Sequence, residues 1–305
     1  MTNTTTEIFE KYQVRKSTKQ KKAFEEYVKT FALEKGFSFK VEKNFLGVRN
    51  LVVGDPDSAK VIYTAHYDTC AALPFPNFIT PKSFLIYLLY QLLICFVAFA
   101  VAFAAGFITT QFGPYSQIAY QVFLLLILVF CILLVCGPAN KHTANDNTSG
   151  VTTLLDIMND LPETSKQKVA FVFFDLEEAG VIGSTCFAIK HRKFTKNTLL
   201  INFDCVSDGE HILIALKKGA RKYKDSLVEA FKANENVTVE IATKGVFYPS
   251  DQTNFHCGVG VAALKRSKFL NLLYMNRIHT PRDTVYREEN VEFLKNSSIA
   301  LLELI

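Results

Sequence analysis

Eight ionisable residues stand where a fold could bring them together: His66, Asp68, Asp146, Asp175, Glu177, Glu178, Asp204 and His279. Most of them follow a short apolar run that reads as a β-strand. His66 and Asp68 follow Val61–Ala65, Asp175, Glu177 and Glu178 follow Val169–Phe174, and Asp204 follows Leu199–Phe203. Asp146 stands just before a helical pattern over Gly150–Leu161. Open α/β sheets bind ligands beyond the carboxyl ends of their strands, so these side chains are expected to meet there. Converging carboxylates need a counter-charge. Two of them about 4 Å apart repel by roughly 4 kcal/mol at an effective dielectric near 20. Left alone they would take up protons or push the site open. Two divalent cations, balanced by Asp146, Glu178, Asp204 and a bound hydroxide, remove the problem. Neutral imidazoles from His66 and His279 complete a mixture of nitrogen and oxygen donors that suits zinc.

The elements that must position these groups alternate. Besides the three strands above, Val259–Leu264 reads as a strand. Residues 18 to 35 read as an amphipathic helix, with Phe24, Tyr27, Phe31 and Leu33 among charges and Gly36 as a stop. Further helical patterns cover Gly150–Leu161 and Glu288–Leu304. Strand alternating with helix predicts an α/β domain: a mixed, largely parallel central sheet with helices on both faces.

That domain is interrupted. Ser83 to Ile108 and Ile118 to Pro138 contain no charged side chain. The first run, as a helix at ~1.5 Å per residue, is about 39 Å long, enough to cross a ~30 Å hydrocarbon core with tilt. The sequence therefore predicts a transmembrane hairpin at 83–138, with the peptidase-like parts at 1–82 and 139–305. Lys82 and Lys141 flank it, and the joining loop has neither Lys nor Arg. The positive-inside rule then places the globular domain and both termini in the cytoplasm of a two-span cell-membrane protein. Tyr87, Tyr90, Tyr115 and Tyr120 suit the interfaces. Ala98, Ala102 and Gly106 form a small-residue face for close packing, either within the hairpin or with a second copy in a homo-oligomer.

Five segments together are similar to the co-catalytic dizinc aminopeptidases, the bacterial leucine aminopeptidase-like family of the MH clan of metallopeptidases. They are Thr64-Ala65-His66-Tyr67-Asp68, Ala144-Asn145-Asp146-Asn147-Thr148-Ser149-Gly150, Phe173-Phe174-Asp175-Leu176-Glu177-Glu178-Ala179-Gly180, Ile201-Asn202-Phe203-Asp204 and Ile278-His279-Thr280-Pro281-Arg282-Asp283-Thr284. They occur in the family's order. The resemblance implies a zinc aminopeptidase that removes N-terminal residues from peptides; the hairpin would anchor it to the membrane, and because both its flanks run into the segments carrying His66 and Asp146, it either only anchors the enzyme or also favours hydrophobic or membrane-associated peptides. It implies two Zn2+: His66 and Asp204 on one, Glu178 and His279 on the other, Asp146 bridging both. Asp68 would fix the tautomer of His66. Glu177 would be the general base toward the metal-bridging water. Tyr248, in Tyr248-Pro249-Ser250-Asp251, would donate to the oxyanion. Two features depart from the family: Gln252 stands where many members have His, and the link from His66 to Asp146 carries the hairpin.

Alternatives on the same fold are a glutaminyl cyclase and a non-catalytic receptor or assembly module. A cyclase is expected to bring Trp to its pocket, and this chain has none; a module is expected to lose ligands, and all are present. The charge balance of +5 rests on Lys and Arg clusters at 15–22, 190–196 and 217–224. Without interleaved aromatic residues these read as solvated faces or lipid-facing patches, and no nucleic-acid partner is expected. Seven cysteines with no CxxC pair argue against a disulfide framework and for a reducing compartment. The first thirty residues lack the apolar core of a signal peptide. His142, His191, His211 and His256 have no ligand-like setting. Nothing supports a serine-hydrolase elbow, a phosphate-binding loop, an HExxH helix or an ion path.

Overall fold

The structure, a computed structural model, describes residues 1–44, 46–111, 116–192 and 197–305. Tyr115, with residues 112–114 of the joining loop, and residues 193–196 of the basic stretch at 190–196 lie outside them. Helices α1 (Asn3–Lys11) and α2 (Thr18–Glu34) precede strands β1 (Phe39–Lys43), β2 (Arg49–Val53) and β3 (Val61–His66). Two long helices follow, α3 (Phe84–Thr110) and α4 (Ser116–Cys136), then α5 (Gly150–Asp160). The rest runs β4 (Val169–Phe174), α6 (Ile182–Lys190), β5 (Leu199–Phe203), β6 (His211–Leu216), α7 (Lys224–Ala230) and β7 (Thr238–Ala242). It ends with β8 (Gly258–Arg266), β9 (Leu273–Tyr274) and α8 (Glu288–Leu301). Ser17 and Gln20 start α2 with a reciprocal capping box. Helix α8 stops three residues short of the sequence expectation, because 302–304 tighten into i→i+3 bonds.

Among the described residues nine strands make one mixed sheet, in the order β1-β2-β4-β3-β5-β8-β6-β7, with β9 beside β8. Its centre, β4-β3-β5-β8, is parallel. The strands β1 and β2 are antiparallel to their neighbours at one edge, and β6 is antiparallel to β8. The continuous apolar runs make sense here, because the central strands are covered on both faces. Val169, Phe171 and Phe173 point into a core shared with α2, α5 and α8, while Ala170, Val172 and Phe174 point into a second core with Phe187 of α6. A strand's side chains alternate, so both sets must be apolar.

The basic stretch at 15–22 is not a solvated face throughout, which corrects the sequence expectation. Arg15 is 0% exposed and donates to the carbonyls of Tyr12, Gln13 and Tyr67. Lys21 is buried against Asp175 at 2.5 Å. Three backbone carbonyls and one carboxylate there need donors, and these two side chains reach them.

Helices α3 and α4 pack on each other and stand clear of the sheet. Phe96 is 70% and Phe103 69% exposed. By length and composition both helices can cross a bilayer. The small-residue face is used inside the hairpin: Ala102 is buried, and a Cβ on Gly106 would come within 2.9 Å of the Ala119 carbonyl. The two flanks are stitched together at the hairpin's base. Ala71 bridges Ala139, Ala72 N–H donates to Pro138, and Asn140 N–H donates to Cys70. Phe84 packs edge-on and Tyr87 tilted against Phe247, with ring centroids 5.0 and 5.4 Å away, and the Tyr90 hydroxyl donates to the Pro76 carbonyl.

Candidate metal centre

The carboxyl ends of β3, β4 and β5 deliver His66, the Glu177–Glu178 loop and Asp204 to one place. The turn before α5 delivers Asp146, and the loop after β9 delivers His279. All five side chains expected to bind metal meet. His66 Nε2 lies 3.3 Å from Asp146 Oδ1 and 3.5 Å from Asp204 Oδ1. His279 Nε2 lies 3.1 Å from Asp146 Oδ2 and 3.3 Å from Glu178 Oε2. Each imidazole thus faces a different oxygen of one central carboxylate, and each has a second carboxylate of its own. Asp175, also at a strand end, stays out: it pairs with Lys21 and accepts from Arg49 N–H at 3.0 Å.

The backbone around Asp146 is held from three sides. Asp283 accepts the N–H groups of Asn145 and Asp146 at 2.9 and 3.0 Å. Asn145 Oδ1 accepts from Ser207 and Asp208 N–H. Asn147 accepts from Cys205 N–H and donates to the Phe203 carbonyl at 2.9 Å. These bonds tie the Asp146 turn to the Asp204 loop and to the His279 loop. The sequence reading gave Asn145, Asn147 and Asp283 no role; the signal was the pair of amides enclosing one Asp. Gly150 lets α5 approach β5, since a Cβ there would sit 2.3 Å from the Phe203 carbonyl. Leu176, Cys205 and His279 adopt left-handed φ of 54°, 57° and 63°. Such backbone costs of order 1–3 kcal/mol per residue and gathers at functional sites.

Asp68 touches His66 chiefly through its backbone: His66 Nδ1 is 3.1 Å from the Asp68 carbonyl and 3.7 Å from its carboxylate. The carboxylate instead accepts from the N–H groups of Glu177 and Glu178 at 3.0 and 3.3 Å. It therefore places the loop that carries both glutamates, while its carbonyl selects the His66 tautomer. The Tyr248 hydroxyl donates to the Asp204 carbonyl at 2.9 Å. Its single proton is committed there, so serving an oxyanion would require it to leave that carbonyl. Gln252 is internal, accepting from Asn202 and donating to Tyr248. His191 and His211 pair with Glu42 and Glu210, and His142 and His256 are exposed.

The donor set fits a dication. Burial pushes the Glu178 carboxyl up to about 8, with Asp146 adding to it. Burial alone opposes charge on His279, yet Glu178 and Asp146 push its ring up to about 9. His66 is likewise held well above the usual imidazole range against burial, by Asp146, Asp204 and Asp68. The protein's own groups thus retain protons at the points where a cation would bind, and a metal would take their place. Glu178 Oε1 is buried and, among the described residues, has no hydrogen-bond partner. Asp251, fully buried nearby, is pushed up to about 7 by burial, and its charge also raises Glu177. Arg15 supplies fixed positive charge; burial lowers it only to about 10, with Asp68 and Asp146 opposing.

The fold recurs among known proteins. The chain superposes on an aminopeptidase of Legionella pneumophila, LapA, with a TM-score of 0.58 and 14% identity, over 98% of this chain and 68% of that one. A zinc-dependent exopeptidase of Parabacteroides distasonis matches with a TM-score of 0.54 and 16% identity, over 98% and 97%. A glutaminyl cyclase of Porphyromonas gingivalis matches with a TM-score of 0.57 and 13% identity, over 96% and 92%. At these identities the likeness is one of fold. No curated protein sequence matches the chain. The profile of Peptidase family M28 matches residues 132–304, which include Asp146, Glu178, Asp204 and His279. His66 lies upstream, beyond the hairpin. The chain belongs to peptidase family M28 and has the mixed α/β fold of the zinc aminopeptidases.

Proposed function

We propose that this protein is a membrane-anchored zinc aminopeptidase that hydrolyses N-terminal residues from peptides. One observation carries the reading: His66 and His279 face opposite oxygens of Asp146, each with a further carboxylate at hand. His66 and Asp204 would hold one zinc, Glu178 and His279 the other, and Asp146 both. Bound zinc supplies a Lewis acid for the scissile carbonyl and lowers the pKa of water. Glu177 takes the proton of the attacking water and hands it to the leaving amine. Asp68 aims Glu177 by accepting its N–H. Tyr248 steadies Asp204 through its carbonyl and, turned toward the substrate, would donate to the oxyanion.

The hairpin anchors the domain to the bilayer, with the domain on the cytoplasmic side as Lys82 and Lys141 indicate. Its base adjoins the metal centre. Leu73 N–H donates to the His279 carbonyl at 2.8 Å, and Phe247, next to Tyr248, packs against the rings of Phe84 and Tyr87. This supports substrates that lie at the membrane surface, apolar or membrane-associated peptides. The test is peptide profiling by the full chain in nanodiscs, with free and blocked N-termini and with a chelator. Release of N-terminal residues from free termini only, lost with chelator and restored by zinc, is expected. Cyclisation of N-terminal glutamine with ammonia release, or no turnover, would overturn the reading.

A further inference from the structure

We propose that Cys70 is a fourth ligand of the cation held by Glu178 and His279, so the two halves of the centre carry different donor sets. The proposal rests on the reading of this cluster as a metal centre. The Cys70 sulfur, one oxygen each of Asp146 and Glu178, and a ring nitrogen of His279 all lie within 4.8 Å of one another. Ligand atoms around a four-coordinate zinc, with bonds of ~2.0–2.3 Å, are roughly 3.3–3.8 Å apart. Small side-chain movements therefore close this group onto one ion. Cys70 is 1% exposed, and its carbonyl accepts from Asn140 N–H at 3.1 Å, which fixes its backbone at the hairpin's base. A second observation points to a ligand in the same place. The Glu178 side chain is 9% exposed, and its Oε1 has no partner among the described residues.

The other half differs. His66, Asp146 and Asp204 group within the same distance without a sulfur. Cys205 follows Asp204 in sequence and is buried, but it joins neither group. On binding, the Cys70 S–H bond breaks, the proton passes to water, and sulfur donates its electron pair to the cation. A thiolate selects softer ions than nitrogen and oxygen donors alone. Four protein ligands also close a tetrahedral shell, whereas three leave a position open. The Glu178–His279 ion is then the anchored one, and the His66–Asp204 ion is the one that meets the substrate carbonyl.

The test uses the full chain in detergent, stripped of metal and titrated with cobalt(II). A near-ultraviolet thiolate-to-cobalt charge-transfer band is expected, absent from Cys70→Ser and kept in Cys205→Ser. Cobalt bound with ligand-field bands but no charge-transfer band would overturn the Cys70 assignment and leave the metal centre standing. Failure to bind cobalt at all would overturn both. A band that survives in Cys70→Ser, or vanishes in Cys205→Ser, would also overturn the assignment. Should Cys70→Ser not fold, cadmium-113 resonances of the parent chain decide: one shifted by sulfur and one not is expected, and two without sulfur would refute the proposal.

Discussion

Replacing Glu177 by Gln separates chemistry from architecture. The side chains are nearly isosteric, and the N–H of residue 177 that donates to Asp68 at 3.0 Å belongs to the backbone. The loop should therefore keep its place, and with it Glu178. The proposed ligands are untouched, so zinc content should equal that of the parent. What is lost is a group able to accept and return a proton. Positioned proton transfer contributes about 10²–10⁴ in rate, or ~2.7–5.4 kcal/mol at ~1.36 kcal/mol per decade. The upper end is expected, because both the water and the leaving amine depend on the same carboxyl group. The assay is hydrolysis of an aminoacyl chromophore in detergent, with zinc counted on the same sample. A kcat within about tenfold of the parent at full zinc content would refute the role of Glu177 as base. Loss of zinc would instead show that Glu177 is a ligand.

Asp146→Ala removes the carboxylate that faces both imidazoles; bound zinc should fall below the parent's, and an unchanged count would contradict the bridging role. Asp156, on α5 and 7% exposed, is pushed by burial from 3.8 to about 6. A carboxyl with a raised folded pKa stabilises fully below the unfolded value of 3.8 and loses that contribution as pH rises through about 6, roughly 2–3 kcal/mol. Asp156→Asn should thus melt higher than the parent at pH 7 and close to it at pH 4, and parallel melting curves across that range would refute this. Replacing residues 84–136 by a short linker should leave a folded chain that cleaves soluble peptides and loses its preference for lipid-embedded ones. Equal turnover of both peptide types by both chains would sink the idea that the hairpin shapes substrate choice.

The parallel centre of the sheet was readable because strands covered on both faces leave no polar position, as Val169–Phe174 shows. The edges were not. Strand β1 reads Phe-Lys-Val-Glu-Lys and is half exposed, so its pattern resembles that of any surface segment. Charge type likewise says nothing of burial: Arg15 and Lys21 look like their neighbours until the fold brings backbone carbonyls and Asp175 against them. The five side chains that converge at the candidate centre could be read because each stands at the end of a recognisable strand or in a motif. Cys70 could not, since its sulfur gains meaning only from Asp146, Glu178 and His279, all distant in sequence.

The hairpin shows how a large insertion can lie between two residues that meet in one cluster, His66 and Asp146. The cost of closing a loop grows only slowly with its length, so the bulk of the insert matters less than how its ends are fixed. Here the ends are fixed at once, by the Ala71–Ala139 bridge and the bond from Ala72 N–H to Pro138. Everything beyond that point is free of the sheet, and α3 and α4 are long and apolar enough to cross a bilayer. The same ends are only a few residues from His66 and Asp146, and Leu73 reaches the His279 carbonyl directly. A change in tilt of α3 and α4 would therefore act first on the His279 side of the centre, where Cys70 also lies. The His66–Asp204 side is held by the sheet itself and would be the last to move.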